Sequence, residues 1–342
     1  MKVGMVSYAT EQGLGYLAKS FYDAGVIDEA LIISYTARGT RPMHLEWYNG
    51  KAVVVHDIRP MQGSEIDKVL DSVDVMLFFE TPFDWSFPKK CNSKGVKTVC
   101  MPMHEWYPKD KLDTFDLMLC PSKLDQDYFP GSPLFQPPVD PNTWSLKTEA
   151  CRFVHNAGNI GHQQHKGTVE VLRAAQFIES DLTLTIRAQD VKYLNRLLAQ
   201  VPEVKKNPKV ILELGQIPYE DLYRSHDVSV VPEKFNGLSL PLQEAYAAGL
   251  VVMTTDRYPA NTWLPSAPLI PVDHTRKGRI GGGYLEFEES VVDPRMVAST
   301  MDKWYGKDIR DHSLKAQKWA RANSWEAKKP QLLAILENLI CP

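Results

Sequence analysis

The sequence has no run of about eighteen apolar residues, so it offers no segment able to cross a bilayer as a helix. Its five cysteines, Cys91, Cys100, Cys120, Cys151 and Cys341, form no Cys-x-x-Cys pair and are odd in number. That excludes a disulfide scaffold and zinc-ribbon spacing, and predicts reduced thiols in a cytoplasmic protein. A basic excess is also missing: Lys+Arg 39 against Asp+Glu 42 leaves a net charge of -3, which speaks against a broad nucleic-acid footprint. Neither a repeat at solenoid spacing nor a low-complexity tract is present. The opening MKVGMVSYATEQ has one lysine, a short apolar run and then polar residues, the pattern of a first buried strand and not of a signal peptide.

What is present is a soluble globular composition, 44% hydrophobic and 24% charged, in a chain of 342 residues that suits two domains. Short aliphatic runs predict strands at 2–8, 29–34, 52–56, 73–79, 96–101 and 115–120. A second series falls at 151–155, 182–187, 209–214, 227–232, 250–254 and 268–272. Runs such as VDVMLFF and DVSVVP are apolar almost throughout, as parallel strands covered on both faces must be. Helical patterns between them, notably 14–25, 166–180, 190–200 and 240–249, make the class α/β with two doubly wound, Rossmann-like domains. Pro130, Pro133, Pro137, Pro138 and Pro141 stiffen a connector that can supply neither helix nor ladder bonds. The predicted organisation is a first domain over 1–140, a second over 141–312, and C-terminal helices over 313–342 crossing back toward the first.

The densest chemistry lies in PEKFNGLSLPLQEAYAAGLVVMTTDRYPANTWLP, residues 232–265. A strand ends at Pro232, a loop follows, and a helix opens at Pro241, a residue well tolerated at a first helical position. Free N–H groups around Ser239 and Leu240 then offer a seat for a diphosphate. Glu244, one turn in, either accepts a ribose hydroxyl pair or simply favours the helix dipole; these residues alone leave both open.

The stretch resembles the donor-binding segment of the GT-B glycosyltransferases, family 4 in particular. There, two glutamates with seven residues between them frame a Gly-Phe-Gly-Leu-Pro-like loop. Here Asn236, Gly237, Leu238, Ser239 and Leu240 lead through Pro241 to Glu244, with Asn236 where the first glutamate would stand. HNAGNIGHQQHKGTVEVLRA (155–174) is similar to the family's Gly-Arg loop and Lys-Gly helix start; Lys166 matches the lysine that neutralises the diphosphate, and Asn159 stands in the arginine's position. The resemblance implies the GT-B fold, its two domains facing each other across a cleft, and a retaining transfer from a UDP- or GDP-sugar. No cofactor is tightly bound, and the acceptor is a glycan, a metabolite or a modified DNA base. Lys166 and the start of the 240s helix would hold the diphosphate, Glu244 the ribose, and Arg187 would replace the missing arginine. His155, His162 and His165 fit no four-ligand zinc template, so no protein-bound metal is expected.

In the first half, Gly13 and Gly15 follow strand one and would let backbone approach the donor phosphates. The Gly-x-Gly-x-x-Ala pattern also mimics a dinucleotide fingerprint, but LIISYT ends without an acidic ribose ligand. Glu80, His104 and Glu105 end predicted strands, where ligands of open α/β sheets bind, and the resemblance implies that they face the reacting sugar. Three other readings stand beside this one: a DNA-modifying glycosyltransferase using the Arg276–Arg279 loop and the Lys89–Lys97 patch, a GT-B-fold epimerase, and a non-catalytic sugar-nucleotide binder. The segment 274–289 reads as a solvated loop or an acceptor flap.

Overall fold

The computed structural model describes residues 1–34, 42–56, 59–158, 165–264, 268–278 and 284–341. Two compact units result: Met1–Pro137 with Ile280–Leu285 and Trp325–Pro342, and Pro138–Arg279 with Glu286–Ser324. The change of unit at Pro137–Pro138 falls inside the proline-rich connector.

In the first unit the apolar runs form β1 (Val3–Ser7), β2 (Glu29–Ile33), β3 (Ala52–Val55), β4 (Val75–Glu80), β5 (Lys97–Pro102) and β6 (Leu117–Met118). They make one parallel sheet in the order β3-β2-β1-β4-β5-β6. Val6, Leu31, Met76 and Phe78 share a buried cluster with Ile66, Leu70 and Phe87 from the flanking helices. Each such side chain contributes about 1.5–3 kcal/mol by leaving water. The last helix, Trp325–Ile340, belongs to this unit: Trp325 meets Phe21 edge-on at 4.7 Å, and Lys329 Nζ donates to the Ala24 carbonyl at 2.7 Å.

The second unit repeats the plan. β7 (Arg152–Gly158), β8 (Thr183–Ala188), β9 (Val210–Leu214), β10 (Val228–Val231), β11 (Val251–Thr255) and β12 (Leu269–Ile270) lie in the order β12-β11-β10-β7-β8-β9, all parallel. Alternate residues serve opposite faces: Phe153, Val228, Val230 and Met253 enter one cluster, Val154, Val231 and Val252 the other. In both sheets the chain reverses direction of growth beside its first strand, between β1 and β4 and between β7 and β10. Such switch points leave a crevice at the strands' C-terminal ends.

The stretch 274–289 is corrected by the structure. β13 (His274–Lys277) pairs antiparallel with β14 (Glu288–Val291), and Arg276 bonds Glu289 through Nε (3.1 Å) and Nη2 (2.9 Å). Gly278 lets Phe287 cross close by: a Cβ there would lie 2.1 Å from the ring. Residues 279–283, including Arg279, lie outside the described residues.

Gly167 joins the second unit's two central loops. Its φ is +70°, and a Cβ would stand 2.2 Å from the Pro232 carbonyl oxygen. Gly95, at φ +80°, has open space instead. Gly167→Ala therefore should cost roughly 2–4 kcal/mol, strain plus overpacking, whereas Gly95→Ala should cost about 1. Urea unfolding midpoints at constant m check this; equal losses in the two variants would contradict the close packing of the loops.

Candidate functional site

Lys166 stands just after β7, at the switch point of the second sheet, before the helix Thr168–Ala174. Its Nζ donates to the Ala157 carbonyl at 3.2 Å. Burial pulls the ammonium below its usual pKa, and the charges of Glu244 and then Glu233 pull it back up. Lys166 is therefore within electrostatic reach of two carboxylates, one from each end of the loop that follows β10.

Glu244 lies on the helix Leu240–Ala247, which carries Pro241 in its first turn. Its Oε1 accepts from the Tyr219 hydroxyl at 2.9 Å and its Oε2 from Tyr223 at 3.4 Å. Desolvation raises this carboxyl to about 7, against the opposing effects of Tyr219, Lys166 and Tyr223. A small, shallow pocket beside it is lined by Asp140, Thr143, Tyr219, Tyr223 and Ala247.

Glu233, 1% exposed, comes directly after Pro232. Its Oε1 accepts from Ser239 Oγ at 2.8 Å and from Asn236 Nδ2 at 3.3 Å, while Arg257 Nη1 stands 4.0 Å from Oε2. Burial pushes this carboxyl up to about 7 as well, with Arg257 the leading opposing influence. The loop between the two acids is pinned throughout. Lys234 Nζ reaches Glu170 at 2.9 Å, Phe235 packs on Phe287 at 4.6 Å, and Leu238 is buried. Ser239 takes a left-handed φ of 45° at the helix entrance, its N–H donating to Asn236 Oδ1 at 3.2 Å. A loop fixed in this way needs little ordering when a ligand arrives.

The expected residues are distributed unevenly around this centre. Lys166, Asn236, Gly237, Leu238, Ser239, Leu240 and Glu244 all lie in the second unit, on the segment before the helix Thr168–Ala174 and on the loop and helix that follow β10. Arg187, expected on the diphosphate, has its Nε on Glu213, its cross-strand partner on β9, while Nη1 donates to the Asp221 carbonyl at 3.1 Å and to that of Leu222. Those bonds make it a brace for the Tyr219–Tyr223 segment. His155 is a strut inside β7, with Nδ1 on the Val230 carbonyl (2.7 Å) and Nε2 on Thr168 Oγ1 (2.9 Å). Asn159 and His162 lie outside the described residues. Glu233, Arg257, Tyr219 and Tyr223 were not foreseen. The position of Glu233 at the end of β10 and the four-residue spacing of the tyrosines were the available signals.

In the first unit, Glu80 ends β4 with a φ of 65°, and burial with the neighbouring charge of Glu105 lifts its carboxyl to about 7. His104, expected as a catalytic side chain, is buried among polar partners. It is 1% exposed, its ring stacks on Tyr128 at 4.5 Å, and its Nδ1 meets Asp125 Oδ1 at 2.8 Å and Glu105 Oε2 at 3.3 Å. Asp125 also accepts from the His104 N–H and from Ser122 Oγ. Ligand atoms of His104, Glu105 and Asp125 lie within 4.8 Å of one another; the histidine–aspartate hydrogen bond already accounts for that closeness. Gly13 opens the helix Gly13–Asp23, and Gly15 is a packing requirement, since a Cβ there would sit 1.9 Å from the Thr10 carbonyl.

No protein-family model matches the sequence, and no curated protein is significantly similar to it. Solved structures do match. HepE from Anabaena, solved with UDP and glucose, superposes with a TM-score of 0.69 at 14% identity, covering 99% of this chain and 100% of that one. Sucrose-phosphate synthase from Thermosynechococcus elongatus gives 0.66 at 14% identity over 100% and 99%. A glycosyltransferase from Rickettsia africae gives 0.65 at 13% over 99% and 98%. At such identities the likeness shows the fold alone: two parallel six-stranded sheets with helices, of the kind found in the GT-B glycosyltransferases.

Glu233 and Glu244 titrate above the ordinary value of 4.5, so the folded protein retains protons that the unfolded chain has released. Stability from this source is complete below about pH 4.5 and lost as pH rises through about 7. Glu244→Gln should remove part of that loss, on the order of 2 kcal/mol between pH 5 and 8. Urea midpoints across that range check it, and a variant with the wild-type slope would contradict the burial of this carboxyl.

Proposed function

We propose that this protein is an enzyme, a glycosyltransferase, whose second unit binds a nucleoside-diphosphate sugar. The carrying observation is Lys166 at the sheet's switch point, within electrostatic reach of Glu244 and Glu233. A lysine in that place neutralises the diphosphate as the bond to the anomeric carbon breaks, and the N–H groups at the start of the helix Leu240–Ala247 add to it. Glu244, steadied by two tyrosine hydroxyls and bordering a small pocket, is suited to the ribose hydroxyl pair. The donor is a UDP- or GDP-sugar, and the donor itself supplies the chemistry, without a resident cofactor.

Family resemblance supports a retaining course. In it the diphosphate oxygen leaves with the electron pair, the acceptor hydroxyl attacks the same face, and its proton passes to the departing phosphate. The first unit is assigned the acceptor, with Glu80 the side chain offered to it. The free cysteines suit the reducing cytoplasm. Arg276 is tied to Glu289, which withdraws one of the cations on which a DNA-modifying reading would rest. An epimerase or a non-catalytic binder would share the donor site and differ only in turnover.

A screen of UDP- and GDP-sugars for hydrolysis and transfer tests the reading. Lys166→Ala should fold, bind the cognate nucleoside diphosphate at least tenfold more weakly, and turn over the donor on the order of 100-fold more slowly. Unchanged diphosphate affinity in calorimetry would reject the site.

A further inference from the structure

Glu233 has no counterpart in the motif that identified this segment, yet it is a carboxylate buried to 1% exposure. Its Oε1 is satisfied by Ser239 Oγ and Asn236 Nδ2. Among the described residues its Oε2 accepts no hydrogen bond, and Arg257 Nη1 stands 4.0 Å from it. A buried carboxylate oxygen without a donor is destabilising, and such groups are retained where something else completes them.

Asn236, which stands in the motif's acidic position, is committed to the loop. Its Oδ1 accepts from the Ser239 N–H, its Nδ2 donates to Glu233, and its carbonyl accepts from Arg257 Nη1 at 3.0 Å. The acceptor at this place is therefore the Glu233 carboxylate, held from behind by the asparagine and the serine.

We propose that Glu233 accepts hydrogen bonds from hydroxyl groups of the donor's hexose, and is the specificity residue for that sugar. The assignment rests on the reading of Lys166 and Glu244 as the nucleotide site. Its logic is one of charge and order along the ligand. A carboxylate repels a phosphate, so Glu233 is no phosphate ligand. Glu244, on the far side of the loop, faces the two tyrosines and the pocket assigned to the nucleoside. The part of a nucleotide sugar that remains beyond the diphosphate is the hexose, a dense array of neutral hydroxyl donors. Lys166 lies under the influence of both acids, as a diphosphate ligand between nucleoside and sugar requires.

The test is calorimetry with UDP, GDP, UDP-glucose and GDP-glucose on the whole chain, wild type and Glu233→Gln. The proposal expects the variant to bind the cognate diphosphate within threefold of wild type and the nucleotide sugar at least 20-fold more weakly. Deletion of the contacted sugar hydroxyl, assayed with deoxy-hexose donors, should weaken wild type but add little to the variant. Loss of diphosphate and nucleotide-sugar binding in equal measure would reduce Glu233 to a loop support and overturn the proposal, as would no loss of either. Should Glu233→Gln not fold, Glu233→Asp keeps the charge and withdraws it by one methylene; wild-type binding of the nucleotide sugar by that variant overturns the proposal too. Failure of the underlying site looks different: Lys166→Ala would then bind the diphosphate as wild type does.

Discussion

Lys166 stands near two acids that are themselves largely removed from water, and much of the second unit exists to make that grouping tolerable. Isolated buried charges are expensive, and a buried group survives by pairing and by hydrogen bonds to its remaining lone pairs. The fold supplies both. The β7 carbonyl of Ala157 takes one ammonium proton, Tyr219 and Tyr223 feed Glu244, and Ser239 and Asn236 feed Glu233. Each partner is then braced in turn. Arg187 and Glu213 fix the tyrosine segment, while Lys234, Glu170 and the Phe235–Phe287 stack fix the loop. A charge centre assembled in this way is preorganised for an anion with hydroxyls on either side, which describes a nucleotide sugar.

The cost of keeping such a centre is visible in its titration. Two carboxyls held near pH 7 mean that the protein gives up stability at neutral pH that a neutral pair would retain. Sites built for binding regularly carry such strain, and the left-handed Ser239 at the helix entrance belongs with it. In the first unit Glu80 combines the same two features, a left-handed backbone and a carboxyl raised to about 7. That pairing makes Glu80 the clearer functional candidate there than His104, whose ring is spent on Asp125 and Tyr128.

The architecture was legible because parallel strands buried on both faces must be apolar throughout. Every predicted strand lies where such a run occurs, VDVMLFF in β4 and DVSVVP in β10 among them. The places of Lys166 and Glu244, before one helix and within the first turns of another, were legible because helix starts and strand ends mark them along the chain. The rest depended on contacts that spacing does not encode. Arg187 was correctly placed at a strand's end, but the cross-strand register that hands it to Glu213 has no sequence signature. The replacement of an acid by Asn236 was plain, whereas its compensation by a carboxylate three residues earlier requires the turn that folds Glu233 under Ser239. The hairpin at 274–291 escaped notice because His274–Lys277 is exposed along its whole length and so shows no alternation.

The account stands on one spatial claim, that the nucleotide's diphosphate lies beside Lys166 with Glu244 and Glu233 on its two sides. A crystal structure of the protein with a bound, non-hydrolysable nucleotide-sugar analogue tests it directly. The account predicts phosphate oxygens on Lys166 Nζ and the N–H groups at Ser239–Leu240, ribose hydroxyls on Glu244, and hexose hydroxyls on Glu233. A nucleotide bound away from Lys166, or with its ribose remote from Glu244, would contradict it.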